Sequence, residues 1–249
     1  MKKTVIITGA NKRIGLFLTG YFISLDYNVV AIVRSPNVSK ELQTLKALNP
    51  KNISIIHKDL LISSIDLDFW DNLKNTQIAG FIHCASIFKH DTIENVTIKN
   101  LREHQIVNCD AFIEACNSFY QYHKNTSLEN PVSFISFIDS KIEDLNVDHY
   151  SYTISKINLA SNIKFLAMNG APKMRVNGIS PGLTLKSGEQ TQEQFENAQK
   201  SLPYGYGVCL EDVAQTAAFL MMMPAVNGQI ITVDAGQHLQ KKRDILFKH

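Results

Sequence analysis

The sequence predicts an α/β fold: a doubly wound, seven-stranded parallel sheet with helices on both faces. Two patterns and the composition predict it. Short runs that are apolar at successive positions alternate with longer segments of helical spacing, from Thr4 to Val233. Strands apolar at every position are covered on both faces, and strand–helix alternation makes βαβ units with a parallel sheet. A glycine turn, Thr8-Gly9-Ala10-Asn11-Lys12-Arg13-Ile14-Gly15, joins the first strand to the first helix. The 249 residues are 45% hydrophobic and 19% charged, with no composition break, linker or repeat. A single domain over residues 1–249 is therefore expected.

The elements follow in order. Thr4 to Thr8 is a short β-branched strand, and Ile14 to Leu25 has helical spacing through Leu16, Phe17 and Tyr21. Asn28 to Val33 is a second continuous apolar run. Lys40 to Leu48 is a charged amphipathic helix stopped near Pro50. Ile53 to His57 and Ile78 to Cys84 are the third and fourth strands, and Leu101 to His123 reads as one long helix. Val132 to Ile138 is a strand, Tyr152 to Met168 a helix and Met174 to Ile179 a strand. Glu211 to Met222 is the last helix and Ile230 to Val233 the last strand. The polar segment from about Leu183 to Cys209 carries Gly188, Pro203, Gly205 and Gly207 and is expected to be an irregular lid.

Composition excludes several functions. The net charge of +2 gives no bulk field for nucleic acid. No apolar run reaches the roughly 18 residues a membrane helix needs. The apolar stretch after Met1-Lys2-Lys3 ends at Thr8-Gly9, too short for a signal peptide, so a cytoplasmic protein is expected. Cys84, Cys109, Cys116 and Cys209 form no C-x-x-C pair and read as buried free thiols of a reducing compartment. The eight histidines show no metal-binding spacing, so no metal is expected.

Three groups carry chemistry. In the glycine turn, Gly9 supplies backbone freedom, and the following helix offers free N–H groups to a pyrophosphate. Gly15 lets helix and strand pack closely. After the second strand, Ala31-Ile32-Val33-Arg34-Ser35 has no acid for ribose hydroxyls. Arg34 and Ser35 suit a 2′-phosphate instead, with Lys12 adding charge, so NADP(H) is favoured. Tyr152 and Lys156 form Y-x-x-x-K, which places both on one helix face. The lysine charge is expected to lower the tyrosine pKa, fitting it for acid catalysis near neutral pH. Tyr120 and Lys124 share the spacing, but Tyr120 lies at the tail of a helix before the fifth strand. Tyr152 opens the helix after that strand, at the end of the sheet where ligands bind.

The turn resembles the T-G-x-x-x-G-x-G turn of the short-chain dehydrogenase/reductase family, whose fold is Rossmann-type. Arg13 replaces the middle glycine, and T-G-x-x-[KR]-R-[IL]-G is similar to the turn of the pteridine and dihydromonapterin reductases within that family. Thirteen positions before Tyr152, where most of the family has serine, stands Asp139, beside Ser140. The pteridine reductases carry aspartate at this spacing, which suits protonation of a ring nitrogen. The resemblance spans Thr4 to about Leu239, ending in Val233-Asp234-Ala235-Gly236, which is similar to the terminal V-D-G-G.

The resemblance implies roles. Gly9, Asn11, Lys12, Arg13 and Ile14 would hold the cofactor pyrophosphate, with Arg13 also reaching the substrate. Asp59-Leu60 would contact adenine. His83-Cys84-Ala85-Ser86 occupies the N-N-A-G position, Cys84 replacing the second asparagine, with Ala85 and Ser86 facing the cofactor. Phe88 would sandwich a pterin against the nicotinamide, and Asn108 would hold a relay water. In Ser180-Pro181-Gly182-Leu183-Thr184, Pro181, Gly182 and Thr184 would contact nicotinamide and Leu183 the substrate. Ser86, Asp139 and Tyr152 would also touch the substrate, and Tyr152 and Lys156 the cofactor. The implied reaction is NADPH-dependent reduction of a dihydropterin, with dihydromonapterin, dihydrobiopterin and dihydrofolate as candidates, in a homotetramer or homodimer. Two alternatives stay open: a reductase of 3-oxoacyl or sugar carbonyls, and a non-catalytic NADP(H)-binding regulator.

Overall fold

The computed structural model describes residues 2–143, 145–188 and 190–239. Seven strands form one sheet: β1 (Thr4–Thr8), β2 (Asn28–Val33), β3 (Ile53–His57), β4 (Ile78–His83), β5 (Val132–Phe137), β6 (Met174–Pro181) and β7 (Ile230–Val233). Their order is β3-β2-β1-β4-β5-β6-β7, and every neighbouring pair is parallel. After β3 the chain crosses over β2 and β1 to lay β4 on the far side of β1. The loops leaving β1 and β4 therefore diverge, and a crevice opens at their carboxyl ends.

Helices cover both faces: α1 (Arg13–Ser24), α2 (Lys40–Leu48), α3 (Leu67–Asp71), α4 (Ile98–Gln105), α5 (Ala111–Tyr122), α6 (Tyr150–Gly170), α7 (Gln192–Lys200) and α8 (Leu210–Met222). Two cores result. Phe81, Phe112, Phe134 and Trp70 fill the side under α3, α5 and α6, whereas Leu18, Phe22, Ile135 and Val213 fill the side under α1 and α8. Alternate residues of β5 serve the two cores. Burial on both faces is why the strands read as unbroken apolar runs.

Four expectations needed correction. The span read as one helix from Leu101 to His123 begins at Ile98, behind a Thr97 side-chain cap, and is interrupted by a π-helical segment, Ile106–Asp110. Such single-turn π-segments are rare and leave no residue-type signature of their own, so the sequence reads as one continuous helix. The lid contains α7, whose Thr191 and Gln194 form a reciprocal capping box. The T-x-x-Q signature marks its start, but Phe195 is its one buried residue, so the segment has no apolar period. The catalytic-helix candidate starts at Tyr150, not Tyr152. Cys209 is exposed, not buried, and its Sγ caps α8 against Asp212, 2.9 Å from Oδ2. Among the described residues, no helix is long and apolar enough to cross a membrane, and no group of three or more His, Cys, Asp or Glu is placed to hold a metal ion.

Candidate active site

The crevice holds a cavity of about 660 Å³. Its walls come from the glycine turn, the ends of β4 and β5, the first turns of α6, and residues 181–188.

The turn is tight because two glycines allow it. Gly9 has φ +67°, and a Cβ there would sit 2.8 Å from the Ala85 amide nitrogen; a Cβ on Gly15 would collide with the Gly9 carbonyl. Arg13 has φ +56°, a left-handed conformation costly for a side chain that large. Its guanidinium crosses the crevice and donates from Nη1 to the Lys186 carbonyl at 2.8 Å. Lys12, at the N-cap of α1, supplies no side-chain cap, so the first-turn amides of α1 keep no side-chain acceptor there. Free amides, the helix dipole and two cations fit a diphosphate.

The remaining turn and strand-end residues divide. Ile14, Ala85, Ser86, Pro181, Gly182, Leu183 and Thr184 line the cavity, whereas Asn11, Arg34, Ser35, Asp59, Leu60 and Asn108 do not. Asn11 turns away: its Oδ1 accepts from Ser39 N at 2.7 Å and its Nδ2 donates to Asn37 O at 3.3 Å. It thereby braces the loop that carries the exposed Arg34 and half-buried Ser35. Asp59 follows the neighbouring strand and accepts from Leu61 N at 3.0 Å. The Leu60 side chain packs into the core, so only its backbone is left for a ligand.

At the other end of the cavity, Tyr152 Oη donates to Asp139 Oδ2 at 2.6 Å. Lys156 Nζ donates to the Phe137 carbonyl of β5 at 2.6 Å and lies 5.6 Å from the Tyr152 ring centre. This corrects the expected electrostatics. Burial, then the Asp139 charge and its hydrogen bond, push the Tyr152 phenol well above its ordinary range. Helical spacing puts both side chains on one face, but the ammonium is drawn to a strand carbonyl and the phenol to a carboxylate. Tyr152 is therefore a protonated donor at neutral pH. Burial lowers Lys156 from 10.5 to about 8, against the opposing pull of Asp139.

Side chains at the ends of β1 and β4 and in the π-segment brace this site. Thr8 Oγ1 accepts from Ala85 N at 3.1 Å and lies 3.0 Å from His83 Nδ1. His83 Nε2 faces the Val107 carbonyl at 3.0 Å, which fixes the proton there and leaves Nδ1 to accept from Thr8. Burial holds His83 down at about 3, so it stays neutral. Asn108, in the π-segment, donates to Ile87 O at 3.0 Å and Ser155 Oγ at 2.9 Å and accepts from Ile87 N at 2.7 Å and Ser86 Oγ at 3.1 Å. Its side chain is engaged by protein groups and holds Ser86 and Ile87 in place. Cys84 is half-buried, and burial raises its thiol far above the ordinary range.

Phe88 is exposed and lines the cavity. His149 stacks on it with ring centres 4.0 Å apart and 18° between planes, and Tyr152 meets it edge-on at 4.7 Å. His149 has φ +57° and gives α6 no side-chain cap. The buried Asp91 does so from a distant loop: Oδ1 accepts from Ser151 N at 3.0 Å, Oδ2 from the Ser151 hydroxyl, and its carbonyl from Tyr150 N at 3.0 Å.

A family model described as enoyl-(acyl carrier protein) reductase matches residues 19–238. The chain belongs to the short-chain dehydrogenase/reductase family. It is accordingly an oxidoreductase. Dihydromonapterin reductase of Enterobacter sp. is 24% identical over 243 residues, covering 96% of this chain and 98% of the relative. Carbonyl reductase family member 4 of Xenopus tropicalis is also 24% identical, over 96% of this chain and all of the relative's length (100%). The fold is shared with FolM alternative dihydrofolate reductase 1 from Brucella suis in complex with NADP, at TM-score 0.86 and 25% identity over 96% of each chain.

Proposed function

We propose that this short-chain reductase uses NADPH to reduce a dihydropterin. The observation that carries the reading is the Tyr152–Asp139 hydrogen bond at the cavity wall, beside the Phe88 ring. The similarity to dihydromonapterin reductase and to a FolM protein bound to NADP supports it.

NADPH would supply the hydride. The amides of α1 with Lys12 and Arg13 would hold its diphosphate, Arg34 and Ser35 its 2′-phosphate, and Pro181 to Thr184 its nicotinamide end. Asp59 and the Leu60 backbone would face the adenine. The preference over NADH follows from Arg34 standing where an acid would bind free ribose hydroxyls. Phe88 would orient a flat ring by stacking. The substrate's C6 would gain the hydride while the C6–N5 double bond opens, and N5 would gain a proton. Tyr152 and Asp139 hold that proton between them at the ring nitrogen, and solvent restores it. Lys156 places a positive charge beneath the phenol. Residues 183–209 would exclude water. Two or four copies would form the working assembly, with the exposed Phe165 and Met168 of α6 available for contact.

The test follows NADPH oxidation with dihydromonapterin, dihydrobiopterin and dihydrofolate, in the wild type, Tyr152→Phe and Asp139→Asn. Pterin turnover that falls about 100-fold or more in both variants, with NADPH affinity retained, is the expected result. Turnover of ketones but of no pterin would favour the carbonyl-reductase reading. Tight NADPH binding with no turnover of either would favour the regulator.

A further inference from the structure

The cavity wall carries four cationic side chains, Lys12, Arg13, Lys141 and Lys156, against one carboxylate among the described residues, Asp139. Three cations have evident occupations. Lys12 and Arg13 flank the first turn of α1, and Lys156 is bonded to the Phe137 carbonyl. The fourth does not. Lys141 follows Asp139 in a single 3-10 turn, Ser140–Ile142, and its backbone N–H donates to Asp139 Oδ1 at 2.9 Å. Its side chain is half-buried, yet among the described residues its ammonium makes no hydrogen bond or ion pair. Asp148 is near enough to favour the charge but pairs with His90 at 3.4 Å. Burial outweighs both neighbouring acids and lowers the Lys141 pKa, so this ammonium is short of water and, among the described residues, has no direct ionic partner. Asn146 lines the same cavity from the same β5–α6 connection.

We propose that Lys141 receives an anionic group on the substituent that extends from the substrate's ring, making the enzyme selective for substrates with an acidic tail. This rests on the dihydropterin reading and adds the class of tail to it. The placement carries the argument. A ring held by Phe88, Tyr152 and Asp139 has Lys141 two residues beyond the proton-donating Asp139, at the wall of the same cavity. A neutral polyhydroxyalkyl tail gives the ammonium no directly bonded anion among the described residues, whereas a carboxylate or phosphate supplies one.

The experiment compares kcat/KM for a carboxylate-tailed substrate (dihydrofolate), a phosphate ester of a dihydropterin, and neutral dihydromonapterin. Wild type, Lys141→Gln and Lys141→Arg are assayed at low and high salt. We expect Lys141→Gln to lose about tenfold or more on the anionic substrates, mostly through KM, and less than about twofold on the neutral one. Lys141→Arg restores the preference, and the wild-type preference falls with salt. The carboxylate and phosphate arms tell which anion is meant. Equal losses on all three substrates, or none, overturn the proposal while leaving the dihydropterin reading intact. A wild type that turns over no pterin overturns both. Unchanged NADPH affinity in each variant shows that the fold and cofactor site survive.

Discussion

Asp91 is the residue whose removal tests how the catalytic helix is held. It lies 59 positions before Tyr150 in the sequence, yet it caps α6. In Asp91→Ala, the Ser151 N–H and hydroxyl lose their acceptors inside the protein, because Asp91 and Ser151 are each 1% exposed. Loss of a helix cap costs about 1 kcal/mol, and a buried donor left unpaired adds about 1–3 kcal/mol. The sum is about 3 kcal/mol, or a fall in Tm of about 6–12 °C for a chain of this size. Asp91→Asn keeps one acceptor oxygen and should lose about a third of that. Thermal unfolding of the three proteins under one set of conditions provides the comparison. The same fraying moves Tyr152, one residue beyond Ser151, so turnover should fall more than NADPH affinity. A melting temperature for Asp91→Ala within about 2 °C of wild type would refute the capping argument.

Four further outcomes follow from the site. With Lys156 lowered from 10.5 to about 8, the unfolded chain binds a proton that the folded chain lacks between those values; the stability of wild type relative to Lys156→Met should therefore rise with pH from about 8 to 10.5. If the ammonium is needed, kcat/KM falls as pH rises through about 8, and urea titrations and pH–rate profiles measure the two effects separately. Arg13→Gly relieves a left-handed arginine, so its unfolding midpoint should not drop, while NADPH affinity, read by fluorescence titration, falls about tenfold or more. His149→Ala removes the ring stacked on Phe88 and should raise the pterin KM about 2- to 10-fold with NADPH affinity unchanged; His149→Phe should restore it.

The sequence by itself determined the strand positions, because strands buried on both faces of a parallel sheet are apolar at nearly every position, as in Val29 to Val33. It also determined the turn, because Gly9 and Gly15 sit where a Cβ has no room, and it placed Tyr152 and Lys156 on one helix face through their spacing. Only the tertiary structure decided what those side chains meet. Tyr152 bonds Asp139 and Lys156 bonds a strand carbonyl, so the expected pKa direction for the tyrosine was reversed. No local pattern told what Asp91, His83 and His149 meet, because each acts through a partner far away in the chain: Ser151, Thr8 and Phe88. The π-segment at Asn108 was hidden for a different reason, since a single wide turn within a helix has no residue-type signature of its own. Periodicity reports burial along a single element. The pairing of polar groups between elements depends on the crossing that brings the ends of β1, β4 and β5 together, and no local pattern encodes it.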